Sequence, residues 1–223
     1  MFGLQMMEKN YFIKDGYTVR LNNDSHDDRH MKDKWQKEVY EFAEKVFLEN
    51  KFTSVIDFGT GSGFKFMKHF ENYDTIGIEL PPMINFLQKK YPNKQWQNSM
   101  EPIKNFDMII CADVIEHLID PDVLLDFFIK CDPKIIVLST VDRDTFYPHP
   151  ELHNGPPQNW SHVREWNMKE LNSYIGQSFH INSHFISNKE QSTQVMLCSR
   201  LTDTRSSISY SGINTTTKGG LYE

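Results

Sequence analysis

Cysteine is scarce in this chain. Its three cysteines (Cys111, Cys131, Cys198) are scattered in or near apolar runs. No CxxC pair exists, which leaves zinc ribbons and thiol–disulfide motifs without support. Cys111 and Cys198 fall in segments that read as core strands, where a thiol behaves as a small buried hydrophobe. Long apolar runs are missing too: none approaches the roughly 20 residues needed to cross a bilayer. The opening residues MFGLQMMEKN carry no basic stretch leading into an apolar one, so no secretory leader is expected. Basic residues are in the minority, with 24 Lys and Arg against 30 Asp and Glu and a formal net charge of -6. That balance disfavours nucleic acid as a partner, because such affinity rests on basic surface; a small local basic patch remains compatible with it. The expectation is a soluble, cytoplasmic chain with no membrane partner.

What is present suits one globular unit. With 39% hydrophobic and 13% aromatic residues in 223, the chain is long enough to bury a core without staples. Three parts are expected: residues 1–50 as an N-terminal hairpin or loop with an accessory helix, 51–201 as the main domain, and 202–223 as a Ser/Thr/Gly-rich tail without order of its own. Residues 11–22 alternate around Asp15-Gly16, which predicts a hairpin. The polar cluster that follows, with His26-Asp27-Asp28-Arg29-His30, reads as a lid or as a solvated loop. Asp33 predicts a helix N-cap with Gln36 returning the reciprocal bond. From there Trp35, Val39, Phe42, Ala43, Val46 and Phe47 keep one apolar face through residue 48.

Next comes strict alternation of strand and helix, which predicts an α/β fold with a mostly parallel sheet. Strands are predicted over 52–57, 73–79, 94–98, 106–111 and 134–140, and helices over 62–70, 81–90 and 121–130. Pro81-Pro82 start the second of these helices and Pro92 stops it. Residues 141–165 break the rhythm, and a loop of that length inside a domain is usually functional or disordered. Asn167 and Glu170 form a capping-box pattern for a helix over 167–176. The runs 180–187 and 194–200 then close the sheet as an antiparallel pair.

The most informative stretch is Asp57-Phe58-Gly59-Thr60-Gly61-Ser62-Gly63. It follows a β-branched run and precedes an amphipathic one, so it reads as strand, glycine turn and helix, the order that presents backbone N–H groups to a ligand. Without Cβ atoms the backbone can approach that ligand closely. A carboxylate at the strand end repels a pyrophosphate and suits a cationic amine. The dinucleotide pattern needs another glycine where Phe64 stands, so it fails at its last element. Glu79, twenty residues beyond Gly59, ends the next strand and is placed to accept from both ribose hydroxyls of a nucleoside.

The Asp-x-Gly-x-Gly-x-Gly spacing resembles motif I of class I S-adenosylmethionine (SAM)-dependent methyltransferases. The segment Cys111-Ala-Asp-Val-Ile-Glu-His-Leu118, with Ile119-Asp-Pro121, resembles the one after the fourth strand in small-molecule methyltransferases of the ubiquinone-biosynthesis type. These matches span residues 53–140. The resemblance implies a Rossmann-like, doubly wound seven-stranded sheet of order 3-2-1-4-5-7-6 with a C-terminal antiparallel hairpin. It implies SAM as cofactor, held by Asp57, Gly59, Thr60, Gly61, Gly63, Glu79 and Leu80. Asn98 and Ser99 stand at the adenine position, where many members carry an acid, and Asp113 and Val114 face the methionine part.

The acceptor is read from the later residues. Gly155–Trp166 loosely resembles a segment of methyltransferases encoded with bacterial glycan-synthesis enzymes, and its aromatics and His162 suggest an acceptor wall. His162 and His117 are the candidate bases, since imidazole titrates near neutrality. For His117 the plainer reading is a side chain that orders its loop through the backbone. His149 and His153 have a metal-ligand spacing, but Pro148 and Pro150 oppose a regular helix there, so no metal ligands are assigned. The expected reaction is methyl transfer to oxygen or nitrogen of a small molecule or glycan. Protein or nucleic-acid methylation, a nicotinamide oxidoreductase and a non-catalytic SAM-fold scaffold are the competing readings.

Overall fold

The apolar runs become the middle of one sheet. The computed structural model describes residues 9–21, 32 and 34–201. Its elements are α1 (Lys37–Glu49), β1 (Ser54–Phe58), α2 (Phe64–Phe70), β2 (Asp74–Ile78), α3 (Pro81–Lys90), β3 (Gln95–Gln97) and β4 (Met108–Ala112). A 3-10 turn at Ile115–His117 leads to α4 (Asp122–Cys131) and β5 (Ile135–Val141). Then come a short α5 (Arg143–Phe146), a 3-10 segment at Pro150–Asn154, α6 (Met168–Ile175), β6 (Phe179–Asn188) and β7 (Thr193–Arg200). The strands lie in the order β3-β2-β1-β4-β5-β7-β6. The first five are parallel, while β7 runs antiparallel to β5 and β6 antiparallel to β7. This is the doubly wound, mostly parallel sheet with a terminal antiparallel pair that the sequence predicts.

Both faces of the sheet are covered, which is why β1, β4 and β5 are buried along their whole length and read as continuous apolar runs rather than alternating ones. On one face α1 and α2 bring Val39, Val46, Phe47, Phe66 and Phe70 against Val55, Ile110 and Val137. On the other, α4 and α6 bring Leu124, Phe128 and Leu171 against Ile56, Ile109 and Ile136. The register sets Ile109 beside Ile56 and Ile136, so one row of side chains crosses the centre of the sheet. Each such side chain, when fully buried, stabilises the fold by about 1.5–3 kcal/mol relative to exposure. The three cysteines are free thiols buried in these layers. No helix among the described residues is long and apolar enough to cross a membrane.

Two N-terminal expectations need correction. Residues 9–21 contain no strand. Asp15-Gly16 does turn the chain, with Tyr17 N–H donating to the Lys14 carbonyl at 3.3 Å, but the flanking residues pair elsewhere. Thr18 N–H donates to the Asn154 carbonyl and Arg20 N–H to that of Val163, both at 2.8 Å. The bonds a hairpin would use go instead to the long loop after β5. Trp35 was expected on the apolar face of α1, yet it is 40% exposed. Gln36 has left-handed backbone angles (φ 64, ψ 7) and the helix begins only at Lys37, so Trp35 is not on the helical wheel. The Asp33 cap, the His26–His30 cluster and the 202–223 tail lie outside the described residues.

Candidate active site

The glycine turn sits at the C-terminal edge of the sheet, where β1 hands over to α2. Gly59, Gly61 and Gly63 all have positive φ, at 75, 54 and 70 degrees, a region in which side chains with Cβ are strained. Space makes the same demand: a Cβ on Gly59 would lie 2.3 Å from Val114 Cγ2. The turn is thus pressed against the segment that follows β4. Gly59 and Thr60 donate their N–H groups to the Ile78 carbonyl at 2.9 and 3.2 Å. Gly61 N–H donates to Glu79 Oε1 at 3.0 Å. Glu79 is half-buried and stands over the turn from the end of β2. A glycine cradle with a carboxylate at its rim matches the needs of a nucleoside with an attached amine.

Asp57 is wholly buried beneath the turn. It accepts from Thr60 Oγ1 at 2.7 Å and from the Tyr40 hydroxyl at 2.9 and 3.1 Å. Burial pushes its carboxyl up to about 7, against the opposing pull of these hydrogen bonds and of Lys65. Its visible task is to tie the turn to α1. Tyr40 was not singled out in the sequence, because it looks like any other core position of an amphipathic helix.

The other predicted cofactor residues lie around the same edge. Asp113 takes a left-handed φ of 54, bonds to Ser139 through its N–H at 3.1 Å and accepts from Ser139 Oγ at 2.6 Å. That turns the chain sharply at the end of β4 and aims Val114 at Gly59. Gln36 Nε2 donates to the Ala112 carbonyl at 3.0 Å, another contact with no sequence signal. Leu80 is 67% exposed. Asn98 is exposed, and Ser99 accepts from Gln97 Nε2 at 2.9 Å.

The second constellation comes from the long loop. Val163 and Arg164 donate their N–H groups to the Glu116 carbonyl at 2.7 and 3.3 Å. Arg164 reaches the carbonyls of Leu118 and Ile119 at 2.7 and 2.8 Å. These bonds stitch residues 161–165 onto the 3-10 turn after β4 and bring the two candidate histidines together. Their ring centroids are 4.9 Å apart at 79 degrees. His117 Nδ1 lies 2.7 Å from the Ser161 carbonyl, and His162 Nδ1 lies 2.6 Å from Glu165 Oε1. A carbonyl or carboxylate oxygen accepts, so each imidazole donates to it through Nδ1. Asn159 Nδ2 is 2.9 Å from His162 Nε2. Glu116 and Glu165 are both fully buried; burial, with the Asp113 charge nearby, raises Glu116 above the usual carboxylate range.

The aromatics of the loop divide. Trp160 is 66% exposed and carries the Arg20 guanidinium 4.1 Å from its ring centroid, so it is free to wall an acceptor. Trp166, expected to share that wall, is fully buried. It stacks on Tyr174 at 5.8 Å and donates Nε1–H to the Tyr11 carbonyl at 2.9 Å. His149 and His153 also part: His149 is 69% exposed, whereas His153 pairs with Asp144 at 3.3 Å. Beneath the loop Arg143 makes a two-pronged bond to Glu170, at 2.7 and 3.0 Å, with the guanidinium only 1% exposed.

Comparison with known proteins agrees with this geometry. A search of curated proteins returns no match. Magnesium protoporphyrin IX methyltransferase (ChlM) from Synechocystis PCC 6803, solved with bound SAH, superposes with a TM-score of 0.58 at 14% identity, over 74% of this chain and 86% of that one. A chain from the complex between the Haloferax volcanii Trm112 methyltransferase activator and a methyltransferase gives 0.58 at 11% identity, over 79% and 99%. The small RNA methyltransferase HEN1 gives 0.53 at 18% identity, over 80% of this chain and 27% of that one. At such identities the likeness is one of fold. The family described as methyltransferase domain matches residues 28–187, a stretch holding the glycine turn, Glu79 and both histidines, and its cofactor is SAM. The chain is a member of this methyltransferase domain family.

Proposed function

We propose that this chain transfers a methyl group from SAM to an oxygen or nitrogen of a small molecule or glycan, with His162 as the general base. When bound, SAM supplies a methyl group already activated by its sulfonium, so the protein's part is orientation, exclusion of water and removal of the acceptor's proton. Glu79 accepts from the ribose, the glycine turn carries the amino-acid end, and Val114 and Asp113 border the methionine part. The observation that carries the choice of base is the 2.6 Å contact between His162 Nδ1 and buried Glu165. A carboxylate in that place fixes the tautomer that leaves Nε2 basic and steadies the imidazolium formed when the proton moves. His117 bonds a backbone carbonyl instead, which suits a loop-ordering role. Exposed Trp160, backed by Arg20, offers the flat surface on which a sugar ring or a small planar acceptor stacks.

The acceptors named for the superposed proteins run from magnesium protoporphyrin IX to small RNA. The net charge of -6 favours the small-molecule side for this chain. Calorimetric titration with SAM, its demethylated product and NAD comes first; tight binding of the first two and none of NAD is expected. Release of demethylated product is then followed over a panel of sugars, nucleosides, phenols and amines. His162→Ala should lower turnover by about a hundredfold or more with SAM affinity intact. Undiminished turnover would remove His162 from the role, and a folded chain that binds no SAM would point to a scaffold module.

A further inference from the structure

We propose that Arg20 and Trp160 form an anion subsite beside the candidate base, and that the acceptor is a small molecule carrying a carboxylate or a phosphate. The Arg20 guanidinium lies 4.1 Å from the Trp160 ring centroid, a contact that holds a guanidinium against an aromatic face. Nη2 donates to the Pro157 carbonyl at 2.6 Å, which anchors one corner of the group. That carbonyl is the one hydrogen-bond acceptor its side chain has among the described residues, and Nε is buried without any. A guanidinium offers five N–H donors in a flat fork that matches carboxylate or phosphate oxygens two at a time. Most of that capacity is unspent here.

The other described arginines are committed. Arg143 pairs with Glu170 and Asp144, Arg200 pairs with Asp132, and Arg164 donates to the carbonyls of Leu118 and Ile119. Arg143 and Arg164 are also buried, whereas Arg20 is half-buried. In a chain with 30 acidic residues against 24 basic ones, Arg20 is the arginine that no described carboxylate claims. Its placement ties it to the candidate base. Arg20 N–H bonds the Val163 carbonyl at 2.8 Å, next in the chain to His162. Trp160 is two residues before His162, and its neighbour Asn159 brings Nδ2 to 2.9 Å from His162 Nε2. A molecule anchored at Arg20 by its anionic group therefore rests along exposed Trp160, on the stretch of loop that carries His162. A neutral acceptor uses the ring of Trp160 and leaves the guanidinium unmatched. The use of this subsite for an acceptor rests on the methyl-transfer reading, whereas binding of the anion does not.

The test is calorimetric titration of the full chain, without SAM, with benzoate and phenyl phosphate, each against a neutral counterpart (benzamide and phenol), and with inorganic phosphate. Both anions should bind more tightly than their counterparts. Arg20→Met should weaken the anions by about ten- to a hundredfold and leave the neutral molecules as they were. Arg20→Lys keeps the charge but loses the fork, so it should fall between. Arg200→Met removes the same charge near the first residues of β5, where Cys198 pairs with Ile136, and should change nothing. Tighter benzoate marks a carboxylate acceptor and tighter phenyl phosphate a phosphate; either supports the subsite. No anion binding at millimolar concentration would overturn it, as would equal affinity for the neutral counterparts or undiminished affinity in Arg20→Met. Inorganic phosphate held as tightly as phenyl phosphate would also overturn it, because the ring of Trp160 would then read nothing. Unfolding curves show whether each variant is folded, and Arg20→Lys decides should Arg20→Met fail to fold. SAM titration separates the two readings: anion binding by a chain that binds no SAM sinks the methyl-transfer reading alone, and SAM binding without preference for the anions sinks the subsite alone.

Discussion

Asp57→Asn isolates the most unusual electrostatic feature of the glycine turn. The native carboxyl is pushed by burial from an ordinary value of 3.8 to about 7. The folded chain therefore holds a proton on Asp57 in a range of pH where the unfolded chain has already lost it. Stability falls with rising pH wherever the native state binds more protons, so this group stabilises the fold at low pH and the gain is lost as pH rises through about 7. At about 1.4 kcal/mol per unit, the contribution is about 2.5 kcal/mol near pH 5 and almost nothing at pH 8. The introduced amide cannot titrate, and its oxygen remains an acceptor for the hydroxyls of Tyr40 and Thr60. Urea unfolding of both proteins, followed by tryptophan fluorescence at several pH values, gives the difference in stability directly, and pH effects from groups common to both cancel. The variant should gain on the wild type by about 2.5 kcal/mol between pH 5 and pH 8. A difference that stays flat across that range would show that the buried carboxylate is ionised throughout and that its hydrogen bonds outweigh burial.

Three other outcomes follow from the geometry. Gly59→Ala forces a Cβ into a left-handed position 2.3 Å from Val114, which should lower stability by about 2–4 kcal/mol and weaken SAM binding, as read by unfolding and calorimetry. Arg143→Met leaves Glu170 buried without its partner and should cost about 3–5 kcal/mol; adding Glu170→Gln should recover part of it, and strict additivity of the two changes would deny the coupling. Glu79→Ala should weaken SAM about ten- to a hundredfold by removing charged acceptors from the ribose, and an unaltered Kd would place the ribose elsewhere.

The sheet was legible because its signals are local. An all-apolar β4 between turn signals reads as a covered strand, and the Asn167–Glu170 capping box is two residues reading each other across one turn; both bonds form, at 2.9 and 3.0 Å. The hairpin over 11–22 failed because its alternation was equally satisfied by docking on the long loop. Trp35 failed because one left-handed residue, Gln36, moved the start of α1. At the candidate site, single residues were visible and their company was not. His117 and His162 stand out separately in the sequence, while Glu116 and Glu165 draw no site assignment. They meet because two backbone N–H groups of the loop bond the Glu116 carbonyl and the Arg164 guanidinium bonds the carbonyls of Leu118 and Ile119. The periodicity of the loop carries no trace of that contact, and the spacing His149–His153 drew attention to a pair that the fold does not use together.

The docking of residues 9–21 also ties the two ends of the described chain together. Lys14 N–H bonds Glu170 Oε1 across a separation of 156 residues, and Trp166 Nε1–H bonds the Tyr11 carbonyl across 155. The early segment is therefore synthesised long before anything exists for it to bind. Contacts of such separation carry a large loop-closure cost and go with slow folding. The loop that carries His162 gains a second brace when residues 9–21 dock on it, beside its bonds to the turn after β4. A chain in which residues 9–21 have not docked keeps the bonds of its glycine turn and lacks this second brace.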